Sequence, residues 1–522
     1  MCIRDSGISV LISVSRHVIE PLKKNRFEIM TKKDLDKDHL ETLDRDLDRF
    51  GSLKTATSGV ARPFGGLGLA LIFIITAGLF SSLFLGSFDN RIIVIVAAVL
   101  GAYMAINIGA NDVANNMGPA VGANSLTLAG AIAIAIIFES AGALIAGGDV
   151  VSTIAKGIVD PSTMQSSATF IWAMMAALLS AALWVNLATW IGAPVSTTHS
   201  VVGGVMGAGV AAAGFSAVNW GTMAKIAASW FISPILGGII AALFLWFIKA
   251  NIIYRSDKII AARRWVPVLV GVMAGVFASY LALKGLKKII KIDLVTTVYI
   301  GLAVGGTVWL VMRPVIRRQS DGLENRNKSL KKLFNIPLIV SAALLSFAHG
   351  ANDVANAVGP LAAIVQASAT GEYLSAASIP LWVMVIGAAG ISFGLFLFGP
   401  KLIKVVGSQI TKLNQMRAYC VALSAAITVI VASWLGLPVS STHIAVGSIF
   451  GVGFFREWDT ARRMKISQSN KYEALNLEYD ERKRRKLVRR AHFMSIIAAW
   501  LITVPAAAII SGLIYISIVT LA

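Results

Sequence analysis

Long apolar runs follow one another along most of the chain after residue 65. Most are about 20 residues long and do not alternate, which suits helices crossing a hydrocarbon core of about 30 Å and not the ten-residue strands of a membrane barrel. The predicted spans lie at about 66–86, 92–108, 126–147, 170–191, 196–215, 223–250, 265–284, 294–312, 335–366, 378–399, 417–435, 440–455 and 491–519. Polar or Gly/Pro clusters interrupt several runs. We therefore predict an all-α membrane protein with about 12 transmembrane helices, some of them broken helices or re-entrant hairpins.

Composition supports this prediction. The 522 residues are 56% hydrophobic and 14% charged, and the mean hydropathy is +0.73. An ordinary soluble domain is about 25% charged. We expect an integral, multi-pass protein of the cell membrane, plasma or inner, with the lipid bilayer as its surroundings.

The net charge of +20 is carried mainly by loops between the apolar runs. Lys and Arg concentrate at 250–264, 313–334, 399–416 and 456–490, and the loop 285–292 is an exception. If the N-terminal arm is cytosolic and each run crosses once, the four basic loops face the cytosol, as the positive-inside rule requires. No nucleic-acid partner is expected. Two distant cysteines, Cys2 and Cys420, give no disulfide framework and no metal spacing.

Three motifs occur twice and in the same order. "GANDVANNMGP" begins at Gly109 and "GANDVANAVGP" at Gly350, an offset of 241 residues. "GAPVSTTHSVVGG" begins at Gly192 and "GLPVSSTHIAVGS" at Gly436, an offset of 244 residues. "SWFISP" from Ser229 and "AWLITVP" from Ala499 form a third pair, at an offset of 270 residues. A duplicated order of motifs indicates an internal repeat.

The repeats divide the chain into segments. We predict repeat 1 at 92–250 and repeat 2 at 335–519, with a basic cytosolic insertion at 456–490. The span count makes the two repeats inverted, which is typical of secondary transporters whose site lies near the membrane midplane. The remaining segments are a charged cytosolic N-terminal arm at 1–65, an extra transmembrane helix at 66–91, and a connector at 251–334 with two helices and a basic cytosolic loop.

The "GANDVAN" heptads place carboxylates and amides inside apolar runs. Gly and Gly-Pro flank each heptad and are expected to interrupt the helix there. Oxygen clusters of this type suit a hard cation such as sodium, or a proton carried by a carboxylate, although Asn and Asp also cap helix ends. The candidate cation ligands are Asp112, Asn115, Asp353, Asn356 and Glu139, with Asp112 and Asp353 as the metal ligands if the cation is sodium. Glu139 is included because it is ionisable within an apolar run, and an approximate alignment pairs it with Gly387.

The "PVSTTH" and "PVSSTH" motifs predict an anion site. A helix that begins here would direct free amides and hydroxyls at a bound oxyanion, although Ser and Thr are also ordinary N-caps. The candidate anion ligands are Ser196, Thr197, Thr198, Ser440, Ser441 and Thr442. His199 and His443 could relay a proton or be structural. His349 is matched by Ile108 in the first repeat, so we expect it to have no symmetric role.

These motifs resemble those of the inorganic phosphate transporter (PiT) family, also called phosphate permeases or type III sodium–phosphate cotransporters. The resemblance covers about 92–519 and rests on both heptads, both hydroxyl motifs and "FESAGALIAGG". It implies inverted repeats, about 12 spans, often a homodimer, and symport of phosphate with sodium or protons. It adds Asn111 and Asn352 to the phosphate site. Many sodium-coupled members have an acid, and proton-coupled ones an amide, where this chain has Ala422, so the cation stays open.

The predicted function is secondary active symport that imports inorganic phosphate with a sodium or proton gradient. Sulfate or another oxyanion is an alternative substrate, because hydroxyls and helix ends do not distinguish tetrahedral anions. An anion channel is a further alternative. No enzymatic activity is expected, because the chain offers no activated nucleophile or metal cluster, and no cofactor beyond the coupling cation is expected.

Overall fold

The computed structural model describes residues 65–85, 90–191, 195–285, 292–370, 379–409, 413–469 and 490–521. Contacts divide the chain into two units, Met1–Gly68 and Leu69–Ala522. The predicted N-terminal arm lies outside the described residues except for Gly65. The second unit contains both predicted repeats.

The described residues are almost entirely helical, and the one β contact among them is an isolated bridge between Val159 and Val218. The helices are α1 (Gly65–Ser82), α2 (Arg91–Asn111), α3 (Val113–Gly122), α4 (Leu128–Ala146), α5 (Gly148–Ser152), α6 (Ser167–Ile191), α7 (Thr197–Ala213), α8 (Trp220–Ile248), α9 (Lys258–Lys284), α10 (Leu294–Ser320), α11 (Asn327–Leu333), α12 (Asn335–Thr370), α13 (Leu381–Gln409), α14 (Gln415–Trp434), α15 (Ser441–Ser469) and α16 (Arg490–Leu521). Short π-helical turns follow α5 at Thr153–Gly157 and α8 at Lys249–Ile253.

Eleven helical segments within the described ranges are long and apolar enough to cross a membrane, with α2 and α3 counted together. This confirms an all-α membrane protein. The runs at 196–215 and 440–455, predicted as spans, correspond to α7 and α15, which are not among the eleven. Helix α7 has 17 residues and is therefore about 25 Å long. It begins at a buried polar motif.

The two predicted repeats pack on each other reciprocally. Helix α7 packs on α16 and α15 packs on α8, while α2 packs on α13 and α4 packs on α12. Glycines make the closest approaches, because a Cβ at Gly207 would collide with the backbone of Ala508 and one at Gly451 with that of Gly238. Gly207 and Gly451 are 244 residues apart, and Gly238 and Ala508 are 270 apart, which are the offsets of the sequence motifs. Equivalent residues therefore make equivalent contacts, while opposite membrane orientations of the repeats remain a prediction.

An ion-pair cluster joins the end of α8 to the later turns of α15. Lys249 Nζ lies 2.7 Å from Asp459 Oδ2, and the hydroxyl of Tyr254 also donates to this carboxylate. Arg463 Nε lies 3.3 Å from the other oxygen of Asp459. Partial burial acts to raise the pKa of Asp459, but the hydrogen bonds from Lys249 and Tyr254 outweigh it and lower the pKa below its usual range.

Two further basic segments meet beside this cluster. The amide of Lys258 donates to Asn325 Oδ1 over 2.9 Å, and Arg263 forms a 2.8 Å ion pair with Asp321. The loops predicted at 250–264 and 313–334 therefore lie at the same end of the helix bundle as Asp459. We call this end the basic end. That it faces the cytosol remains a prediction from the distribution of charge.

Glycine packing between the repeats gives a direct stability test. We expect Gly207→Ala and Gly451→Ala each to destabilise the purified protein by about 1–3 kcal/mol or more, because the new methyl group overlaps backbone atoms that cannot rotate away. Gly306→Ala is the matched control, because a Cβ there meets nothing within 4 Å. Thermal unfolding in detergent measures all three variants. Equal midpoints for all three would contradict the described packing.

Candidate functional site

The two heptads lie in helices that are nearly or fully continuous. Helix α2 ends at Asn111 and α3 begins at Val113, yet the intervening Asp112 keeps right-handed helical angles and its amide donates to the carbonyl of Ile108 over 2.9 Å. The second heptad lies inside α12. The expected interruption is therefore confined to one residue in the first copy, and it does not occur within the described residues of α12.

The flanking glycines serve packing, which explains why they do not break the helices. A Cβ at Gly109 would collide with the carbonyl of Ile391 on α13, and one at Gly350 with the carbonyl of Glu139 on α4. The glycines therefore bring each heptad against a helix of the other half. Two such approaches at equivalent positions place both heptads at the interface between the halves.

The prolines of the motifs expose backbone oxygens without opening the helix. Pro119 lies within α3 and Pro360 within α12. Proline has no amide hydrogen, so the carbonyl four residues earlier loses its usual donor. That carbonyl belongs to Asn115 in the first copy and to Asn356 in the second. The last asparagine of each heptad therefore has a main-chain carbonyl without its usual helical donor.

Helices α7 and α15 begin at the hydroxyl motifs, as predicted. The Ser196 hydroxyl oxygen accepts from the amide of His199 over 3.2 Å, and that of Ser440 accepts from His443 over 3.3 Å. The serines are therefore N-caps, which was the alternative interpretation of these two residues. Their hydroxyl hydrogens remain available for donation. Gly192, Ala193 and Pro194 lie outside the described residues.

The hydroxyls that follow the caps bind the buried carboxylates. Thr197 Oγ1 donates to Asp112 Oδ2 over 2.7 Å, and Thr442 Oγ1 approaches Asp112 Oδ1 at 3.3 Å. Ser441 Oγ donates to Asp353 Oδ2 over 2.9 Å. Both carboxylates are almost fully buried, at 2% and 1% exposure. The predicted anion ligands and the predicted cation ligands therefore form one hydrogen-bonded cluster.

Amide side chains of the heptads cross between the halves. Asn356 Nδ2 lies 3.3 Å from Thr197 Oγ1 and 3.1 Å from Thr198 Oγ1. Asn115 Nδ2 donates to Thr442 Oγ1 over 2.9 Å. Each amide thus contacts the hydroxyl motif of the opposite repeat. A relative movement of the two halves would change these contacts.

The sequence predicted Glu139 as a site residue but did not predict which residues it contacts. Asn116 Nδ2 donates to Glu139 Oε1 over 3.0 Å, and His349 Nδ1 lies 3.3 Å from the same oxygen. The other ring nitrogen of His349 lies 2.8 Å from Asp353 Oδ2. His349, which is fully buried, therefore links Glu139 to Asp353. The sequence signal was its position within an apolar run, the same signal that singled out Glu139.

The pairing of Glu139 with Gly387 is wrong. Ser140 and Ser392 are hydrogen-bonded to each other at 2.8 Å, and Gly142 and Gly394 make equivalent close approaches to the other half. Both pairs are 252 residues apart. The same offset pairs Glu139 with Ile391. The approximate alignment missed this because α4 and α13 share few residue identities beyond the small residues that pack.

Asn116, Glu139 and His349 extend the polar cluster at one position, and the equivalent position has no such extension. The counterpart of Asn116 is Ala357, that of Glu139 is Ile391, and that of His349 is Ile108. Three hydrogen-bonding residues therefore meet at one position, and three apolar residues occupy the equivalent position. The prediction that His349 has no symmetric role agrees with this arrangement, and the histidine is nevertheless part of the site.

Asn352 orders the chain that leads into α15. Its Nδ2 donates to Ser433 Oγ over 3.0 Å and lies 3.2 Å from the carbonyl of Leu437, while its Oδ1 accepts from the amide of Val439. Asn111, at the equivalent position, is half-buried and makes no side-chain hydrogen bond within the described part of the chain. Asn352 therefore positions the hydroxyl motif, and its assignment to phosphate remains a prediction.

The cluster can hold a cation. One ligand atom each from Asp112, His349 and Asp353 lie within 4.8 Å of one another. Three buried oxygens, Glu139 Oε2, Asp353 Oδ1 and Asn356 Oδ1, have no hydrogen-bond donor among the described residues. Buried acceptors without donors are costly unless a cation or proton occupies the space between them.

The different roles of the two equivalent asparagines can be tested. Asn352→Leu leaves the hydroxyl of Ser433, the carbonyl of Leu437 and the amide of Val439 without their partner, which costs about 1–3 kcal/mol for each group that stays buried. We therefore expect a clearly lower midpoint of thermal unfolding. Asn111→Leu is the matched control and should change the midpoint little. If Asn111→Leu destabilises the protein as much, Asn352 has no special positioning role.

Comparison with known proteins finds similarity to one family. The phosphate transporter family matches residues 108–511. A protein of Helicobacter pylori strain J99 is 46% identical over 506 residues, covering 87% of this chain and 95% of the relative, and a protein of Pyrococcus abyssi is 37% identical over 421 residues, covering 81% and 96%. The names of both assign them to the phosphate permeases.

A solved structure is similar to this chain over most of its length. It is named the sodium-dependent phosphate transporter, is 34% identical, and superposes with a TM-score of 0.73 over 82% of this chain and 100% of that chain. The duplicated motifs, the buried cluster they form and the family match over most of the chain lead to one conclusion: this multi-pass membrane protein belongs to the phosphate transporter family.

Proposed function

We propose that the chain is a symporter that imports inorganic phosphate together with sodium. The observation that carries the proposal is the hydrogen bonding of the α7 and α15 hydroxyls to Asp112 and Asp353, beside three buried oxygens that lack a donor. The sodium-dependent transporter that is 34% identical to this chain supports the choice of cation.

Charge supports a cation at the cluster. Asp112, Asp353 and Glu139 place three carboxyl groups in the protein interior, and neither hydroxyl motif contains Lys or Arg. An incoming phosphate would be repelled by these carboxyl groups. A cation bound between the carboxylate oxygens removes that repulsion. It also supplies the partner that the three donor-less oxygens lack.

The hydroxyls of Thr197 and Ser441 couple the binding of the cation to the binding of phosphate. A hydroxyl has one hydrogen to donate. In this structure Thr197 and Ser441 donate theirs to Asp112 and Asp353. A cation that draws these carboxylates to itself weakens both bonds and frees the hydroxyls to turn toward a phosphate oxygen. Phosphate then binds well only after the cation has bound.

The helix starts supply further donors. The first amides of α7 and α15 have no partner within their own helices, and the N-terminal end of a helix carries partial positive charge. Two such ends meet at the cluster from different halves. They can surround one tetrahedral anion, with the hydroxyl hydrogens of Ser196 and Ser440 as additional donors. The Thr198 hydroxyl donates to the carbonyl of Val439 and that of Thr442 to Asp112, so these two would first have to turn away from their present acceptors.

Alternating access is favoured over a channel. The site residues come from both halves, the two carboxylates among them are buried, and the contacts of Asn115 and Asn356 cross between the halves. A rocking of one half against the other would break these contacts and expose the site to one side at a time. Single-channel currents in planar bilayers would contradict this mechanism.

Removing either carboxylate charge should abolish transport. We expect Asp112→Asn and Asp353→Asn to reduce phosphate uptake into proteoliposomes to the level of protein-free liposomes, because the cation loses one of its two charged aspartate ligands. Asp321→Asn is the control, since this residue forms an exposed ion pair with Arg263 at the basic end. Elution as a single species in size-exclusion chromatography confirms that the variants fold. Uptake that survives both substitutions would refute the assignment.

Removing the hydroxyls should weaken phosphate binding specifically. Each hydrogen bond to a charged ligand contributes about 1.5–3 kcal/mol, so we expect Thr197→Val and Ser441→Ala each to raise the KM for phosphate by about ten- to a hundredfold. The control is Ser424→Ala, whose hydroxyl donates to the carbonyl of Val421 in its own helix. An unchanged KM in both site variants would show that these hydroxyls do not bind phosphate.

The cation and the anion are identified in the same liposomes. Radiolabelled phosphate uptake is measured with a sodium gradient or a pH gradient imposed separately, and with sulfate as competitor. We expect sodium alone to drive uptake and sulfate to compete poorly. Uptake driven only by the pH gradient would assign the cation as a proton. Stronger inhibition by sulfate than by unlabelled phosphate would assign the substrate as another oxyanion.

A further inference from the structure

Two arginines lie at the basic end, away from the site described above. Arg417 lies in the first turn of α14, and Arg456 lies on α15. Helices α14 and α15 pack on each other, and both pack on α3. Asn352 binds both Ser433 near the end of α14 and Val439 just before α15. Arg417 precedes Ser433 by 16 residues and Arg456 follows Val439 by 17, so the two arginines lie at the same level of this helix pair. The fold therefore holds two like charges together.

Neither arginine has an acidic partner among the described residues. Arg417 Nε lies 3.1 Å from the neutral side-chain oxygen of Asn414, and Arg456 forms no ion pair within that part of the chain. Both side chains are half-buried. Lys249 and Arg463 at the same end, by contrast, both bind Asp459. Two half-buried cations held near each other repel, and an anion bound between them would remove that repulsion.

Helix ends add to the positive potential. Gln415 Nε2 donates to the carbonyl of Ala123 over 2.8 Å, which joins the start of α14 to the end of α3. Ser125 Oγ donates to Asn335 Oδ1 at the start of α12 over 2.9 Å. The N-terminal ends of α12 and α14 therefore both lie here, and each carries partial positive charge.

The arginine pair lies along a helix that begins at the buried site. Helix α15 is continuous from Ser441 to Ser469. Arg456 follows Thr442 by fourteen residues on this helix, a distance of about 21 Å. Helix α3 begins beside Asp112 and ends near Gln415. The interface between α3 and α15 thus leads from the carboxylates to the arginines.

The pair is present at one end only. The 244-residue offset of the repeats places Ala173 and Ala212 at the positions equivalent to Arg417 and Arg456. The packing of the repeated helices therefore does not require two arginines, because alanines occupy the equivalent positions in the other half. A requirement specific to the basic end accounts for the difference.

We propose that Arg417 and Arg456 form a second oxyanion site, which binds a phosphate group at the basic end of the transporter. The ligand is a phosphate group carried either by free inorganic phosphate or by the headgroup of an anionic lipid. The free-phosphate form rests on the proposed function, in which phosphate passes between the buried site and this end. Arginine suits either source because its planar fork binds two oxygens at once.

The test compares phosphate binding by the full-length protein in lipid-free detergent. Radiolabelled phosphate is titrated with sodium present into the wild type, the Arg417→Gln/Arg456→Gln variant and the Arg462→Gln control, an exposed arginine on α15 that stacks on Trp458. We expect the wild type and the control to bind phosphate in two classes. The double variant should lose only the second class, with binding at least tenfold weaker. Arg417→Lys/Arg456→Lys should restore part of it.

A second arm identifies a lipid ligand. The same proteins are titrated with vesicles of phosphatidylglycerol and of phosphatidylcholine. If the lipid headgroup is the ligand, the wild type should bind phosphatidylglycerol at least tenfold more tightly than the double variant does, and phosphatidylcholine should not discriminate between them. Equal behaviour of wild type and double variant in both arms overturns the proposal. If the wild type binds phosphate in a single class, and the double variant lacks that class, the proposed function is contradicted while the arginine site is supported.

Discussion

Hydrogen bonds from two hydroxyls at helix starts to two buried carboxylates determine how the site is built. Both carboxylates lie at the interface between the halves. A carboxylate in a membrane interior is costly unless donors or a cation surround it. Thr197 and Ser441 supply those donors from the first turns of α7 and α15. Ser196, Ser440 and Asn352 fix where these helices start, and Gly109 and Gly350 bring the carboxylates within reach.

The polar residues of the site differ between the two halves, although the packing contacts of the helices repeat. Glycine contacts repeat at constant offsets, so the helices of the two halves pack in equivalent ways. The extension through Asn116, Glu139 and His349 has only apolar residues at its equivalent position. In the proposed function the cation is bound by the repeated Asp112 and Asp353, next to Glu139, which has no counterpart in the other half. A symmetric scaffold can therefore hold an asymmetric site.

The sequence predicted the membrane class, the repeated motifs and the helix starts at the hydroxyl motifs, because these depend on local patterns. It did not predict that α12 runs through its heptad, since Gly350 and Pro360 favour a break locally and only the packing of Gly350 against α4 shows what the glycine is for. His349 was given no symmetric role because Ile108 occupies its equivalent position. Its contacts with Glu139 and Asp353 depend on which helices meet, and that information is not local.

In the proposed mechanism, the carboxylates withhold the hydroxyls from phosphate until a cation binds. This is tested by the affinity of the purified wild-type protein for radiolabelled phosphate, with sodium present or replaced by choline at the same ionic strength and pH. We expect the affinity to be at least tenfold higher with sodium. The same affinity in both solutions would contradict it.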